Sequence, residues 1–320
     1  MMQNVTPQHD PTWQHGYLKT NGIRLHYVTA GTGPLLLLLH GFPECWYSWR
    51  YQIPVLAERY RVVAIDLRGY NESDRPAQLA DYRMECLIAD VVGVIQELGY
   101  ERCTLVGHDW GGAIAWAVAE AHPERLDNLI VLNLPHPARM AAGLRTPQQL
   151  LRSWYIFLFQ LPWLPEWVLQ WGDYRVLEWI LVGTAANKTA FSPADLNVFK
   201  NAAAQQGALS AALNYYRNLF GSGFNFGSHS GSSSGSNSGS NSGSNSRSNS
   251  GFLNREWQVL EMPTLMIWGE ADTVLGKELT YGTEQYVRDF RIHYIPDCGH
   301  WVQQERPDLV NRYICEFLAD

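Results

Sequence analysis

The sequence has no cluster of basic residues, no apolar run long enough to cross a bilayer and no cysteines at metal-ligating spacing. Each absence closes off a class of function. Twenty-four Lys and Arg stand against 31 Asp and Glu, a formal net charge of −7. That balance argues against nucleic acid or an anionic membrane as the main partner. A membrane-spanning helix needs about 18 or more consecutive apolar residues, and the chain does not supply them. The opening residues, MMQNVTPQHDPTWQHG, lack the basic-then-apolar pattern of a secretory signal. The five cysteines (Cys45, Cys86, Cys103, Cys298, Cys315) are odd in number and scattered. A reduced, cytoplasmic protein without a bound metal or other cofactor is therefore expected.

Aromatic residues, by contrast, are plentiful, with 13 Trp and 16 Tyr. At 46% hydrophobic, the 320 residues can bury one large core or two modest ones. Many of the aromatics fall between residues 154 and 217. Such density lines either a core or an apolar ligand cavity, and composition does not choose between them.

Along the first third, strand-like and helix-like segments alternate. GIRLHYVTA reads as an antiparallel edge strand or hairpin arm. PLLLLLH (34–40) and RVVAIDL (61–67) are short continuous apolar runs, as in strands buried on both faces. Between them WYSWRYQIPVLAERY has helical spacing, and RMECLIADVVGVIQELGY is an amphipathic helix closing at Gly99. CTLVGHD, WGGAIAWAVAEAHP and LDNLIVLNLP continue as strand, helix and strand. The rhythm predicts an α/β protein with a mostly parallel central sheet flanked by helices.

From about His136 to Phe220 the pattern is helical, Trp-rich and broken by Pro. Strands return at PTLMIWG (263–269) and FRIHYIPD (290–297), before a final helix PDLVNRYICEFLA. The chain thus divides into a first core part (1–135), an inserted helical cap (136–220), a Gly/Ser/Asn-rich stretch (221–252) and a second core part (253–320). The cap is expected over the carboxyl ends of the strands, where parallel sheets bind ligands. Residues 227–251 cannot bury apolar area to offset chain entropy and read as a disordered tether, either a tolerated expansion or a spacer.

The chemistry centres on VGHDWGGAIAW (106–116). Gly-x-x-x-Gly between strand and helix is the outline of a nucleophile elbow, but Asp109 stands where an esterase carries Ser. A helix N-terminus favours an anion there, although an N-capping aspartate would satisfy the same pattern. Asp272 in EADTVLG and His300 in PDCGHW each follow a strand, in the chain order of nucleophile, acid and histidine. Glu270 competes with Asp272, which lies farther into its loop and is preferred. HGFPE places Phe42 to offer a backbone N–H to an oxyanion hole, with Trp110 as second donor and a cis Phe42–Pro43 bond expected. His40 and His108 are expected to brace loops, and His26, His122 and His293 to be structural. A carboxylate needs no deprotonation to displace a leaving group at saturated carbon, so Asp109 redirects the elbow from acyl to alkyl transfer.

HGFPE followed by SWR, GHDWGG and DCGHW together resemble the soluble epoxide hydrolases of the α/β-hydrolase fold, from about Trp13 to Leu318. The resemblance implies a small apolar epoxide and water as partners, with Phe42, Trp110 and Trp301 against the substrate. It also implies two cap tyrosines on the epoxide oxygen. SWYIFLFQ selects Tyr155 and LNYYRN selects Tyr216, with adjacent Tyr215 as the competing assignment. A haloalkane dehalogenase using the same Asp/His/Asp chemistry is the nearest alternative, and a non-catalytic ligand-binding protein of the same fold stands further off. Oligomeric state is left open.

Overall fold

The computed structural model describes residues 13–221 and 257–319. Strands β1 (Gln14–Thr20) and β2 (Ile23–Ala30) form an antiparallel hairpin. β3 (Leu35–Leu39) is followed by a 3-10 turn at Trp46–Trp49, the one-turn helix α1 (Ile53–Leu56) and β4 (Arg61–Ile65). The helical spacing of WYSWRYQIPVLAERY is thus realised as two short turns rather than one helix. Then come α2 (Met84–Glu97), β5 (Cys103–His108), α3 (Trp110–Ala121) and β6 (Leu126–Leu132).

Six helices follow before the sheet resumes: α4 (Pro137–Gly143), α5 (Pro147–Arg152), α6 (Trp154–Leu158), α7 (Leu164–Thr184), α8 (Pro193–Ala204) and α9 (Ala208–Gly221). α7 is interrupted at Trp171–Tyr174, where Gly172, Asp173 and Tyr174 have positive φ. β7 (Thr264–Gly269), β8 (Phe290–Ile295), α10 (Val302–Glu305) and α11 (Pro307–Phe317) complete the described chain. The tether, 227–251, lies outside the described residues.

The eight described strands form one sheet in the order β1-β2-β4-β3-β5-β6-β7-β8, parallel from β4 to β8. β2 is antiparallel to both β1 and β4, so it is the hairpin arm and β1 takes the edge. Alternation along β3 makes the layering plain. Leu35, Leu37 and Leu39 face one core with α2 and α3, while Leu36 and Leu38 face the other with α1 and α11. On α11 the buried residues Val310, Ile314 and Phe317 recur at i, i+4 and i+7.

Register decides where the chemistry falls. Leu39 pairs with Gly107, His108 with Leu132, Leu132 with Ile267, and Gly269 with Ile295. The loops carrying Phe42, Asp109, Asp272 and His300 therefore leave one edge of the sheet, at its carboxyl ends.

Candidate active site

Asp109 occupies the N-cap position of α3, yet its side chain makes no capping hydrogen bond. Its backbone sits at φ 51, ψ −121, a conformation that L-residues rarely adopt. The turn closes only because its flanks are glycine: a Cβ on Gly107 would run into the Gly111 carbonyl, and one on Gly111 into Leu39. Held there, the carboxylate accepts the Phe42 N–H on Oδ1 at 2.8 Å. A Cβ on Gly41 would displace it. The Phe42–Pro43 bond is cis. Among the described hydrogen bonds, Phe42 is the backbone donor to Asp109, and Trp110 begins α3 immediately beside it.

The other oxygen, Oδ2, lies 3.6 Å from His300 Nε2. His300 Nδ1 is 2.8 Å from Asp272 Oδ2. Asp272 is fixed in turn by the N–H groups of Val274 and Leu275 on Oδ1, at 2.7 and 3.0 Å. The Asn133 amide donates to its Oδ2 at 2.6 Å. Asn133 Oδ1 accepts the Gly269 N–H at 2.9 Å, tying the end of β6 to the end of β7. Glu270 instead pairs with Lys277 near the surface, away from His300.

These contacts set the charges. Burial alone would lower the His300 pKa, but the Asp272 charge, followed by contact with Asp109, reverses this and raises it to about 10. Burial would raise the Asp109 carboxyl, and the hydrogen bond and charge of His300, with smaller help from His108 and Phe42, bring it below the usual range instead. Asp272 is lowered against burial chiefly by His300.

Tyr216 packs edge-on against Trp110, Phe42 and Phe159, with ring centroids 5.0, 5.5 and 4.9 Å apart. Tyr155 lies 6.0 Å from Tyr216. Burial first, then the Asp109 carboxylate, push both phenols well above their ordinary pKa. The Trp110 side chain, hydrogen-bonded to Tyr216, partly opposes this. Tyr215 is committed elsewhere, its hydroxyl donating to the Arg68 carbonyl at 2.7 Å.

Trp301 is buried edge-on to His300, with ring centroids 4.9 Å apart, and its indole N–H donates to Thr184 Oγ1 at 2.8 Å. The neighbouring histidines are bonded on both nitrogens. His40 takes the Leu67 N–H on Nε2 and donates from Nδ1 to the Gly41 carbonyl. His108 joins Glu44 Oε2, at 3.1 Å, to the His300 carbonyl, at 2.9 Å.

Several supporting residues escaped sequence reasoning: Asn133, Glu44 and its partner Gln304, and Glu305. The buried Glu305 carboxylate accepts the N–H groups of Ala186, Asn187 and Gly299 on Oε2, at 2.8, 2.9 and 3.1 Å. Its Oε1 accepts that of Trp301 at 3.2 Å. Only strand-end position could have flagged Asn133, and nothing local flags the rest.

With this geometry in place, the likenesses to known proteins become specific. The family model for the alpha/beta hydrolase fold matches residues 34–307. The chain is 43% identical to epoxide hydrolase 3 of Xenopus tropicalis over 317 residues, covering 96% of this chain and 78% of that protein. It is 39% identical to human epoxide hydrolase 4 over 311 residues, covering 95% and 78%. The crystal structure of Bacillus megaterium epoxide hydrolase in complex with an inhibitor superposes with a TM-score of 0.82 at 32% identity, covering 95% of this chain and all of that one. The chain belongs to the α/β-hydrolase fold family and, within it, to the epoxide hydrolases. Among the described residues, no helix is long and apolar enough to cross a membrane.

Proposed function

We propose that the protein hydrolyses apolar epoxides to vicinal diols through an ester on Asp109, with the 137–221 helices acting as a cap that supplies Tyr155 and Tyr216. The observation that carries the reading is the orientation of Asp109: Oδ1 is held by the Phe42 N–H while Oδ2 is turned towards His300. The named relatives point to the same substrate class.

In the first half-reaction Asp109 Oδ2 attacks an epoxide carbon and the carbon–oxygen bond of the ring opens. Tyr155 and Tyr216, both protonated at neutral pH, hydrogen-bond the oxygen as it becomes an alkoxide and supply its proton. Forming the ester consumes the Asp109 charge that held both phenols up, so they become better acids as the alkoxide appears.

The same event changes His300. In the free protein it is held as a cation between two carboxylates. Once Asp109 is esterified, one of those charges is gone and the ring gives up its proton more readily. Neutral Nε2, oriented by Asp272 through Nδ1, then takes a proton from water as its oxygen adds to Asp109 Cγ. Negative charge gathers on Oδ1, in the hole formed by the Phe42 N–H with Trp110 as the second donor. The bond from Cγ to Oδ2 breaks, the imidazolium protonates the departing oxygen, and the diol leaves; exchange with solvent then takes the remaining proton off the Asp109 carboxyl and restores those of the tyrosinate and His300.

His300→Gln removes the base and spares the nucleophile. The variant should open one equivalent of epoxide and stall, with intact-mass analysis showing a substrate-mass adduct on the peptide containing Asp109. Multiple turnovers by His300→Gln would mean that water attacks the epoxide directly. Running haloalkanes in parallel and assaying halide release separates the dehalogenase alternative.

A further inference from the structure

The ester mechanism consumes one water per turnover at the moment when the alkyl group occupies the space in front of Asp109. A cavity shares Phe42 with the Asp109 site. It is a partly open hollow with a cavity volume of ≈ 10 Å³, room for about one water, and its lining includes Phe42 and Pro43 together with Ala208, Leu209 and Ala212 of α9. Tyr70 and Glu44 also line it.

The Tyr70 hydroxyl is the notable one. The residue is 5% exposed, and the buried oxygen has no hydrogen-bond partner among the described residues. Its ring is held firmly, edge-on to His40 at 4.8 Å and to Tyr215 at 5.4 Å. A buried phenolic O–H left without a partner costs roughly 1–3 kcal/mol, so this is a site that calls for a hydrogen-bonding ligand. Burial and the nearby Asp109 and Glu44 charges keep the phenol protonated, which also means that the field of Asp109 reaches it.

The slot is aligned with the chemistry. Ala208, Ala212 and Tyr216 recur at i, i+4 and i+8, so they share one face of α9. That face leads from the slot wall to the Tyr216 ring against Phe42. Phe42 itself borders the slot while its N–H holds Asp109. Small alanines keep the passage open but narrow, suited to water and too tight for a substituted epoxide.

We infer that this slot is a water inlet and that the Tyr70 hydroxyl is its inner binding site, supplying the water that hydrolyses the Asp109 ester. The inference rests on the ester reading above. It makes Tyr70 a positioning residue for the second half-reaction alone.

The test is rapid-quench mass analysis of a single turnover, following ester formation and ester decay separately. Tyr70→Phe keeps the ring contacts and removes the hydroxyl. Ala203→Leu, a partly exposed slot residue on α8, narrows the slot with no change near Tyr70. Each should leave ester formation unchanged and slow ester decay ~5- to 10-fold, the value of one lost water contact. Ester decay at the wild-type rate in both variants overturns the inlet, as does slowing confined to ester formation, which would make the slot part of the epoxide site. If His300→Gln accumulates no ester at all, the Asp109 reading itself has failed and the inlet falls with it. An ester that forms and decays normally in the slot variants sinks the inlet alone.

Discussion

The sheet edge and the inserted helices hold their functional side chains by different means. Asp109, Asp272 and His300 follow strands whose register is fixed, and backbone N–H groups or buried side chains pin each carboxylate. Tyr155 and Tyr216 stand on helices and are held largely by ring against ring. The outer surfaces differ as well. Strands β3 to β7 bury their apolar residues, whereas the helical segment exposes Leu150, Trp154, Phe157 and Leu161 in a stripe and also Trp163, Trp167, Trp171 and Trp179. Aromatic density in that segment therefore reflects an outward apolar face as much as a core or a cavity. In the proposed site the edge thus holds Asp109 and Asp272 by hydrogen bonds, while the helices place the two tyrosines by ring packing.

Substitutions can break that contrast. Asp109→Ala, at the rigid edge, should lower diol formation by about 10⁴-fold or more and give no adduct, as when a nucleophile is removed. Retained diol formation in a purified sample would overturn the division of labour. Tyr155→Phe and Tyr216→Phe, on the helices, should each slow ester formation ~10- to 100-fold and leave ester decay unaltered. Equal losses in both steps would show that the tyrosines shape the site without donating a proton.

Stability against pH sharpens the same comparison. Folding raises the His300 pKa from its ordinary 6.5 to about 10. A raised pKa contributes stability in full below 6.5 and loses it as pH rises through 10. The Tm of the wild-type protein should therefore fall more steeply from pH 7 to pH 10 than that of His300→Gln; parallel curves would remove the ion pair from the account. The smallest effect is expected from deleting 227–251, which should change turnover by less than about tenfold, or ~1.4 kcal/mol. Insoluble protein or a larger drop would give that stretch a role in the fold.

The sequence showed the core readily because each strand is a short apolar run closed by a turn. Asp109, Asp272 and His300 were legible because strand ends and glycines mark them locally. The Glu44–Gln304 contact joins residues 260 apart, and Arg50 reaches both Gln304 and Asp195 of α8. No local pattern encodes such pairings. Nor could residue type tell which tryptophans face outward: Trp154, Trp167 and Trp179 are exposed while Trp116, Trp268 and Trp301 are buried.

Glu305 acts as an interlock. One buried carboxylate fastens both the Ala186–Asn187 end of the helical segment and the backbone on either side of His300. On the proposed mechanism, lifting the segment at that end would undo one of the fastenings that hold the histidine, beside its contacts to Asp272 and His108. Opening there to release the diol would then slacken the base in the same motion, and closing would reset it.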